Sequence, residues 1–286
     1  MIPKIAAVVV LYEPNIDVVD NIKTYLEDVD VLYVVDNSEV KNKQVIEAVE
    51  SIEKVLYVDN GGNQGVAKAL NVGARLAIRD QFEWLLTMDQ DSSFGPQVFK
   101  QYLQCAFSIS ALDAIAILSP NFLAGHDSKI NCLYTQELTV MTSGNLLNLH
   151  LYCVIGGFND KLFIDEVDHE YCLKAHLANL RVVKFENIPL NHQLGNVRQL
   201  SLNRKIYNFT VHAPIRHYYI SRNFLYVFFT YQRHFTAYAY YRLWRVTRTL
   251  IIAMLIGPEK ARRFKYIVQG FIDFLMSRMG KCECRF

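Results

Sequence analysis

The chain has 286 residues, 51% hydrophobic and 20% charged, which supplies a full apolar core and argues against wholesale disorder. The net charge of +2 hides an uneven division, because residues 1–197 hold 14 Lys and Arg against 25 Asp and Glu, whereas residues 198–286 hold 16 against 3. An acidic body followed by a basic, aromatic tail predicts two regions with different tasks.

The first 90 residues alternate between Val-rich apolar runs and stretches with helical periodicity. Strands are predicted at 5–12, 31–36, 55–58 and 84–88, separated by helices at 15–27, 42–53 and 66–79. Repeated strand–helix units indicate a mostly parallel sheet covered by helices, whose ligands bind beyond the carboxyl ends of the strands. The polar residues expected at that edge are Glu13, Asp36, Asn37, Asn60, Asn63, Asp89 and Asp91.

The remainder of the chain is less regular. Strands are predicted at 114–119, 133–141 and 181–185, and a turn at 143–145 is expected to open a short helix that ends at Gly156. Helical periodicity covers 167–180, and two long stretches, 214–235 and 238–279, are helical, aromatic and basic. Gly73 lies inside a predicted helix, where a glycine is unfavourable, so close packing is expected to explain it.

Two further features bear on the cellular setting. No run of 18 apolar residues occurs, so no membrane span is predicted, and the N-terminal segment favours a first strand over a signal peptide. Single cysteines among apolar residues predict buried, reduced thiols and therefore a reducing cytosol. They are Cys105, Cys132, Cys153 and Cys172.

Asp89-Gln90-Asp91 directly follows the fourth predicted strand. Two carboxylates one residue apart at a strand end can bind a hard cation and the phosphates that the cation bridges. The D-x-D pattern is common by chance, but its place after three strand–helix units favours a metal site over a polar turn. His192 is a further candidate metal or phosphate ligand, against the alternative of a structural histidine.

The Gly-containing segment 60–65 lies between a predicted strand and a predicted helix. Its glycines allow the backbone to approach a ligand, and the following helix offers free N–H groups to phosphate. Asn63 and Gly65 are therefore candidate phosphate-binding residues, with a plain Gly-rich connection as the alternative. The segment is not G-x-G-x-x-G, so a dinucleotide-binding fold is disfavoured.

Four acidic residues crowd the start of the helix predicted at 167–180. They are Asp165, Glu166, Asp168 and Glu170. The helix dipole favours one or two acids at this end, so a cluster of four predicts that some face a cavity where a carboxylate can act as a base.

These pieces, in this order, resemble the family 2 glycosyltransferases of the GT-A fold, and among them the bacterial rhamnosyltransferase-like group. The resemblance covers about residues 3–230. Its matching segments are Val8–Pro14, Val35–Ser38, Asn63–Ala67, Asn71–Gly73, Met88–Ser92, Ser143–Asn145, Gly156–Phe158, the acidic helix start, His192–Gly195 and Tyr218–Asn223.

The resemblance implies roles for individual residues. Asp36 is expected to contact the nucleotide base in a pocket lined by Leu11, Tyr12 and Glu13. Asp89 and Asp91, with Gln90 between them, are expected to hold Mg²⁺ or Mn²⁺ against the donor diphosphate, and Arg222 is a candidate contact of the same diphosphate. The complete predicted metal set is Asp89, Asp91 and His192.

Asp168 is the implied general base, because it precedes Lys174 by the spacing of the family motif E-D-x-D-L-x-x-R. Val167 and Lys174 depart from that motif, which normally has an acid and an Arg at these positions. Asp165 and Glu166 remain rivals for the role of base.

The resemblance implies an α/β GT-A catalytic domain at 1–212. The interleaved basic and aromatic residues of the helices at 213–286 predict a C-terminal helical, membrane-associating region, with packing of these aromatics on the catalytic domain as the alternative. The resemblance also implies a metal-dependent inverting enzyme that transfers a sugar, L-rhamnose from dTDP-rhamnose being favoured, from a nucleotide-sugar donor to a saccharide acceptor carried on polyprenyl diphosphate. The expected setting is bacterial surface polysaccharide synthesis, such as O antigen. The protein would be peripheral on the inner face of the cytoplasmic membrane, bound to anionic lipid and not to nucleic acid.

Several alternatives stay open. One is the same fold with another nucleotide-sugar donor. Another is an aspartyl-nucleophile phosphatase, since Asp89–Ser92 is similar to the D-x-D-x-[TS] loop, although such enzymes carry it on the first strand. A sugar nucleotidyltransferase would need a Gly-rich basic loop after the first strand, which residues 11–15 do not supply. A non-catalytic membrane-binding protein is disfavoured by the retained acidic positions.

Overall fold

The computed structural model describes residues 3–122, 131–192, 197–202, 205–210 and 212–284, with backbone alone at 197–202 and 205–210. The chain forms two compact units. The first comprises Met1–Asp160 and Val167–His192, and the second comprises Lys161–Glu166 and Gln193–Phe286. The contacts thus divide the chain after residues 160, 166 and 192. The domain boundary at 212 stays a prediction.

The first unit is built on an eight-stranded sheet in the order β3-β2-β1-β4-β8-β6-β9-β7. The strands β3, β2, β1 and β4 run parallel to one another, and β6 runs parallel to β9. The strands β7 and β8 run antiparallel to their neighbours. The strands are β1 Ile5–Leu11, β2 Val31–Asp36, β3 Val55–Asp59, β4 Trp84–Asp89, β6 Ile115–Asn121, β7 Tyr134–Gln136, β8 Asn145–Asn148 and β9 Arg181–Pro189.

A second, two-stranded sheet of this unit pairs β5 Ser92–Ser93 with β10 Asn191–His192. The helices are α1 Val18–Leu26, α2 Lys43–Glu50, α3 Val66–Arg79, α4 Val98–Ala106, α5 Leu149–Ile155 and α6 Val167–Leu177. All seven residues of β1 are buried, as expected for a central parallel strand covered on both faces. The prediction of a mostly parallel sheet flanked by helices is confirmed.

The structure corrects the prediction between residues 133 and 156. The strand expected at 133–141 is only three residues long, and a strand not predicted from the sequence, β8, follows the turn at Gly144. Gly144 has a φ of +81°, and a Cβ there would lie 2.6 Å from Pro120 Cγ, so glycine is required. A four-residue strand is too short to give a periodic signal, and its partners β4 and β6 come from elsewhere in the chain.

The second unit contains the antiparallel pair β11 Val197–Leu202 and β12 Lys205–Thr210, then α7 Pro214–Tyr231, α8 Thr236–Ile256 and α9 Lys260–Leu275. The stretch 238–279 is two helices, because the chain is interrupted at Gly257 and Pro258, and proline is unfavourable inside a helix. Among the helices described, none combines the length and hydropathy needed to cross a bilayer.

One cysteine prediction is wrong. Cys105 and Cys132 form a disulfide, with their Cα atoms 5.0 Å apart, whereas both were expected to be reduced. The two positions are 27 residues apart, and their approach depends on how α4 and the segment before β7 fold against the sheet, which the sequence does not reveal. Cys172 is a buried free thiol as predicted. Cys153 is a free thiol but is exposed, so the prediction that it is buried is also wrong.

Candidate active site

Three potential metal ligands come together at the carboxyl end of β4. Asp89 is the last residue of β4, and pairing of β5 with β10 places His192 opposite Ser92. One ligand atom from each of Asp89, Asp91 and His192 lies within 4.8 Å of the others. Two carboxylates and an imidazole suit Mn²⁺ or Mg²⁺, so the residues fit the predicted cation.

Hydrogen bonds orient the imidazole in this cluster. His192 Nδ1 lies 2.8 Å from Ser92 Oγ and 3.3 Å from Asp91 Oδ1. The contact with Asp91 raises the pKa of His192, burial of the ring opposes this, and the charges of Asp91 and Asp89 raise it further. The negative charge that favours a proton on this ring would also attract a cation.

Gln90 joins the ends of β1 and β4. Its Oε1 accepts from the Tyr12 N–H at 2.8 Å, and its Nε2 donates to the Tyr12 carbonyl at 3.1 Å. The Gln90 carbonyl accepts from Asn21 Nδ2 at 2.8 Å. Gln90 therefore fixes the backbone beside the two acids, and its side-chain amide is committed to Tyr12 in this structure.

Asp36, the predicted base contact, is enclosed by the protein. Its Oδ2 accepts from the Tyr57 hydroxyl and its Oδ1 from the Ser38 N–H, both at 2.9 Å. Lys41 Nζ lies 3.5 Å from Asp36 Oδ1 and 2.7 Å from Asp59 Oδ1, so one ammonium links the ends of β2 and β3. Asp36 is 1% exposed, and both of its carboxylate oxygens accept hydrogen bonds from the protein.

The Gly-containing loop is tied to the end of β2 through Asn37. Asn37 Oδ1 accepts from Asn60 Nδ2 at 2.8 Å and from the Gln64 N–H at 2.9 Å, and its Nδ2 donates to Asn63 Oδ1 at 3.2 Å. Asn63 Oδ1 also accepts from the N–H of Gly65, the residue that directly precedes α3. The predicted residues Asn63 and Gly65 thus lie at the helix N-terminus expected to face phosphate.

The three residues predicted to line the base pocket differ in exposure. Leu11 is fully buried and its carbonyl accepts from the Asn37 N–H at 2.8 Å, whereas Tyr12 is 44% exposed. Glu13 has a φ of +47°, and its N–H donates to Ser38 Oγ at 2.8 Å. The backbone of this turn therefore packs beside Asp36, and Tyr12 offers an exposed ring.

The acidic cluster is divided between the two units. In the first, Asp168 is the second residue of α6 and its Oδ1 accepts from the His169 N–H at 2.9 Å, while Glu170 is buried 3.5 Å from Lys174 Nζ. In the second, Asp165 makes a two-pronged ion pair with Arg216, whose Nη2 lies 3.0 Å from Asp165 Oδ1. Glu166, also in the second unit, pairs with Arg242.

Arg222, the predicted contact of the donor diphosphate, is buried and bound by protein groups. Its side chain is 0% exposed within the second unit, and its Nη1 donates to the Gly280 carbonyl at 2.8 Å and to the Tyr218 hydroxyl at 3.0 Å. Its Nε donates to Asn223 Oδ1 at 2.9 Å. A buried guanidinium whose nitrogens are bound by protein oxygens cannot reach a diphosphate without leaving these partners.

A family model described as "Glycosyl transferase family 2" matches residues 16–108, which hold α1 to α4 and the metal cluster's two acids. The match identifies a family 2 glycosyltransferase domain in this part of the chain. The chain is 28% identical to "dTDP-rhamnosyl transferase RfbF" of Shigella flexneri over 77% of this chain and 78% of the relative. It is 20% identical to "Low-salt glycan biosynthesis hexosyltransferase Agl10" of Haloferax volcanii over 99% of this chain and 94% of that relative.

Solved structures support the GT-A fold of this glycosyltransferase. GalNAc-T7 with UDP, GalNAc and Mn²⁺ matches 67% of this chain with a TM-score of 0.56 at 11% identity, and the matched part spans 44% of that structure. S. aureus TarS 1-349 in complex with UDP-GlcNAc matches 96% of this chain and 73% of that structure, with a TM-score of 0.51 at 14% identity.

Several residues that support the site of this glycosyltransferase were not predicted as site residues from the sequence. Lys41 and Tyr57 hold Asp36, and Ser143 accepts the Asp89 N–H at 3.1 Å. Asn71 is buried in α3 and accepts the Phe158 N–H at 3.0 Å. Ser143 and Asn71 lie in segments that carry the family resemblance, and this resemblance was the signal in the sequence that could have identified them. No sequence pattern pointed to Lys41 or Tyr57.

Proposed function

We propose that this glycosyltransferase moves L-rhamnose from dTDP-rhamnose to a saccharide acceptor, with inversion at the anomeric carbon. The main observation in support of this proposal is the cluster of Asp89, Asp91 and His192 at the carboxyl end of β4. The identity of the sugar is supported by the similarity to a dTDP-rhamnosyl transferase over most of both chains.

Asp89, Asp91 and His192 would hold Mg²⁺ or Mn²⁺. When bound, the cation neutralises the charge that builds on the leaving nucleoside diphosphate. The protein contributes orientation: Ser92 fixes the imidazole, Ser143 fixes the backbone of Asp89, and Gln90 fixes the turn between the acids.

Asp168 is the proposed general base. It would take the proton of the acceptor hydroxyl while that oxygen bonds to the anomeric carbon and the bond from this carbon to the β-phosphate oxygen breaks. Asp165 is a poorer base because its two-pronged pair with Arg216 stabilises the carboxylate form. Glu166 is engaged by Arg242 in the same way.

A donor screen tests the assignment. The purified protein, with Mn²⁺ and a rhamnose-accepting saccharide lipid, is given dTDP-rhamnose, dTDP-glucose, UDP-GlcNAc or GDP-mannose in separate reactions. Release of nucleoside diphosphate and the mass of the product are followed. The proposal expects turnover with dTDP-rhamnose above the others, and preferred turnover of any other donor rejects the rhamnosyl assignment while retaining glycosyl transfer.

The acceptor is proposed to be linked to polyprenyl diphosphate, at the inner face of the bacterial cytoplasmic membrane, in synthesis of a surface polysaccharide such as O antigen. The second unit is proposed to bind the anionic lipid of that membrane. Its support is an exposed stripe on α8 with spacings of three and four residues, formed by Tyr241, Trp244, Arg248, Ile251 and Leu255.

A similar exposed stripe runs along α9. It consists of Phe264, Val268, Phe271 and Leu275, with exposed Lys260, Arg262 and Lys265 near its start. Aromatic and aliphatic side chains suit the boundary between headgroups and acyl chains, and the basic residues suit anionic headgroups. The excess of 16 Lys and Arg over 3 Asp and Glu in residues 198–286 supports lipid of negative charge as the occupant.

Liposome flotation tests the lipid contact. The full chain should float with vesicles containing phosphatidylglycerol at low salt and should remain behind with phosphatidylcholine alone. Trp244→Glu combined with Leu255→Glu should abolish flotation. Val154→Glu is a matched control, because Val154 is 65% exposed but lies in the first unit. Equal flotation of all three proteins would reject these stripes as the lipid-binding surface.

A further inference from the structure

Asn145 ends one of the segments that carry the family resemblance, 143–145, and it lies beside the strand that carries the first metal ligand. It is the first residue of β8 and pairs with Thr87 of β4. Two positions before it, Ser143 Oγ accepts from the Asp89 N–H at 3.1 Å. These two contacts place Asn145 next to the carboxyl end of β4, within the first unit.

The side chains of Asn145 and Asp89 lie on the same face of the sheet. Residues directly opposite each other on neighbouring strands share a face, so Asn145 lies on the face of Thr87. Side chains alternate along a strand, so Thr87 and Asp89 also share a face, about 7 Å apart along β4. Met88, between them, packs in the apolar cluster of α1 and α4 on the other face. The Asn145 amide is therefore on the metal-binding side of the sheet.

The Asn145 side chain is buried with an unpaired acceptor. Asn145 is 3% exposed and its Oδ1 is fully buried, and no group in the part of the chain that the structure describes donates a hydrogen bond to this oxygen. By contrast, the buried hydroxyl of Thr87 donates to the Thr142 carbonyl at 2.6 Å. A buried acceptor without a donor destabilises the folded state, because the oxygen has lost its hydration. An apolar side chain would avoid this loss, so the amide points to a donor group that comes from a ligand.

We propose that the Asn145 amide binds a hydroxyl group of the transferred sugar and contributes to donor specificity, an inference that rests on the proposed glycosyl transfer. Asp89 and Asp91 are the proposed ligands of the cation that meets the donor diphosphate, and the sugar is joined directly to that diphosphate. The diphosphate of a nucleotide sugar is ionised and offers only acceptors, whereas a sugar hydroxyl can donate its proton to Asn145 Oδ1. The sugar is therefore the part of the donor that suits this oxygen.

The first test separates binding of the sugar from a structural role. Asn145→Val removes the unpaired acceptor from a strand position, so the urea midpoint of unfolding should stay the same or rise. The kcat/KM for dTDP-rhamnose should fall about 10-fold to 100-fold, because the sugar hydroxyl loses its acceptor. Calorimetric affinity for dTDP, which lacks the sugar, should change less than about twofold. A lower urea midpoint with unchanged kcat/KM would overturn the proposal.

Tyr102→Phe is the matched control. Tyr102 is fully buried, but its hydroxyl donates to the Leu118 carbonyl at 2.7 Å, and its ring packs in the same cluster as Met88 on the other face of the sheet. Removing this paired hydroxyl should lower the urea midpoint, while kcat/KM for dTDP-rhamnose changes less than about twofold. The two variants therefore have opposite expected patterns of stability and activity, and the same pattern in both would reject the role of Asn145.

Analogues of dTDP-rhamnose that each lack one ring hydroxyl identify the group that is bound. With the unaltered enzyme, one analogue should lose kcat/KM by about the factor caused by Asn145→Val, and with the variant the same analogue should lose nothing further. Asn145→Ser is the second variant if Asn145→Val does not fold, and the same coupling is expected. Equal losses for every analogue in the unaltered and altered proteins would show that Asn145 does not contact the sugar.

A hydroxyl of the acceptor would give a different result. If Asn145→Val raises only the acceptor KM and leaves slow hydrolysis of dTDP-rhamnose without acceptor unchanged, the proposal for the donor sugar is rejected. Failure of the proposed function is also distinct. If the unaltered protein turns over no nucleotide sugar in the donor screen, glycosyl transfer is rejected, whereas turnover that is insensitive to Asn145→Val rejects only the role of Asn145.

Discussion

The two units differ in how they use buried polar side chains. At the sheet edge of the first, buried Asp36, Asn37 and Ser92 bind neighbouring loops and leave Asp89 and Asp91 partly accessible. In the second, buried Arg222 and Arg263 donate mostly to main-chain carbonyls, including those of Gly280, Pro258 and His212. In the first unit the buried side chains support partly accessible carboxylates that can bind a cation. In the second unit the buried guanidinium groups bind and hold the main chain.

The largest expected effect removes the metal ligands of the first unit. Asp89→Ala and Asp91→Ala should each lower transfer about 1000-fold or more, because several kcal/mol of charge stabilisation on the leaving group would be lost. EDTA should do the same to the unaltered enzyme, with recovery on addition of Mn²⁺. Titration calorimetry with Mn²⁺ should show weakened binding in both variants. Full activity after exhaustive dialysis against EDTA would contradict metal dependence.

The next effect is in the second unit. Arg222→Met should lower the free energy of unfolding by about 3 kcal/mol or more, because it leaves buried carbonyls without their charged donor. Arg248→Met is the control, since Arg248 is exposed on α8, and it should change stability by less than about 0.5 kcal/mol. Urea denaturation measures both. If Arg222→Met is as stable as the unaltered chain but binds dTDP poorly, then the donor contact predicted from sequence is right.

A smaller effect concerns packing in the first unit. The structure confirms the close packing expected at Gly73, because a Cβ there would lie 2.3 Å from Val8 Cγ2. Gly73→Ala should therefore destabilise by about 1–3 kcal/mol, although alanine is the better helix former. Combining it with Val8→Ala should remove the clash, so that the double variant loses less than the sum of the two single losses. Simple additivity in thermal unfolding would contradict the packing explanation.

The last expected effect is a pH dependence of the stability of the second unit. Burial lowers the pKa of His212 from 6.5 to about 4, with the nearby charge of Arg216 acting in the same direction. Between these values the unfolded chain binds a proton that the folded chain does not, so the free energy of unfolding should decrease as pH falls from about 6.5 towards 4. His212→Gln should reduce this slope, whereas His234→Gln, at an exposed position, should leave it unchanged. Equal slopes in urea titrations would reject the assignment.

The sequence by itself determined the frame of the first unit. Strands β1, β2 and β4 and helix α3 were predictable because local alternation of apolar runs and helical periodicity reports them directly. The positions of Asp89 and Asp91 at a strand end followed from the same pattern. The family was predictable because several short motifs occur in a fixed order along the chain.

Tertiary structure alone decided which side chains meet. His192 joins the two acids through the pairing of β10 with β5, and the bonded residues Ser92 and His192 are 100 positions apart. Arg222 was expected at the diphosphate, yet burial and bound carbonyls fix it in the second unit. Asp165 and Asp168 are near neighbours in sequence, but Asp165 pairs with an arginine and Asp168 does not share that contact. Contacts between distant segments leave no periodic trace in the chain, so residue types and spacing could propose these groups but could not assign their partners.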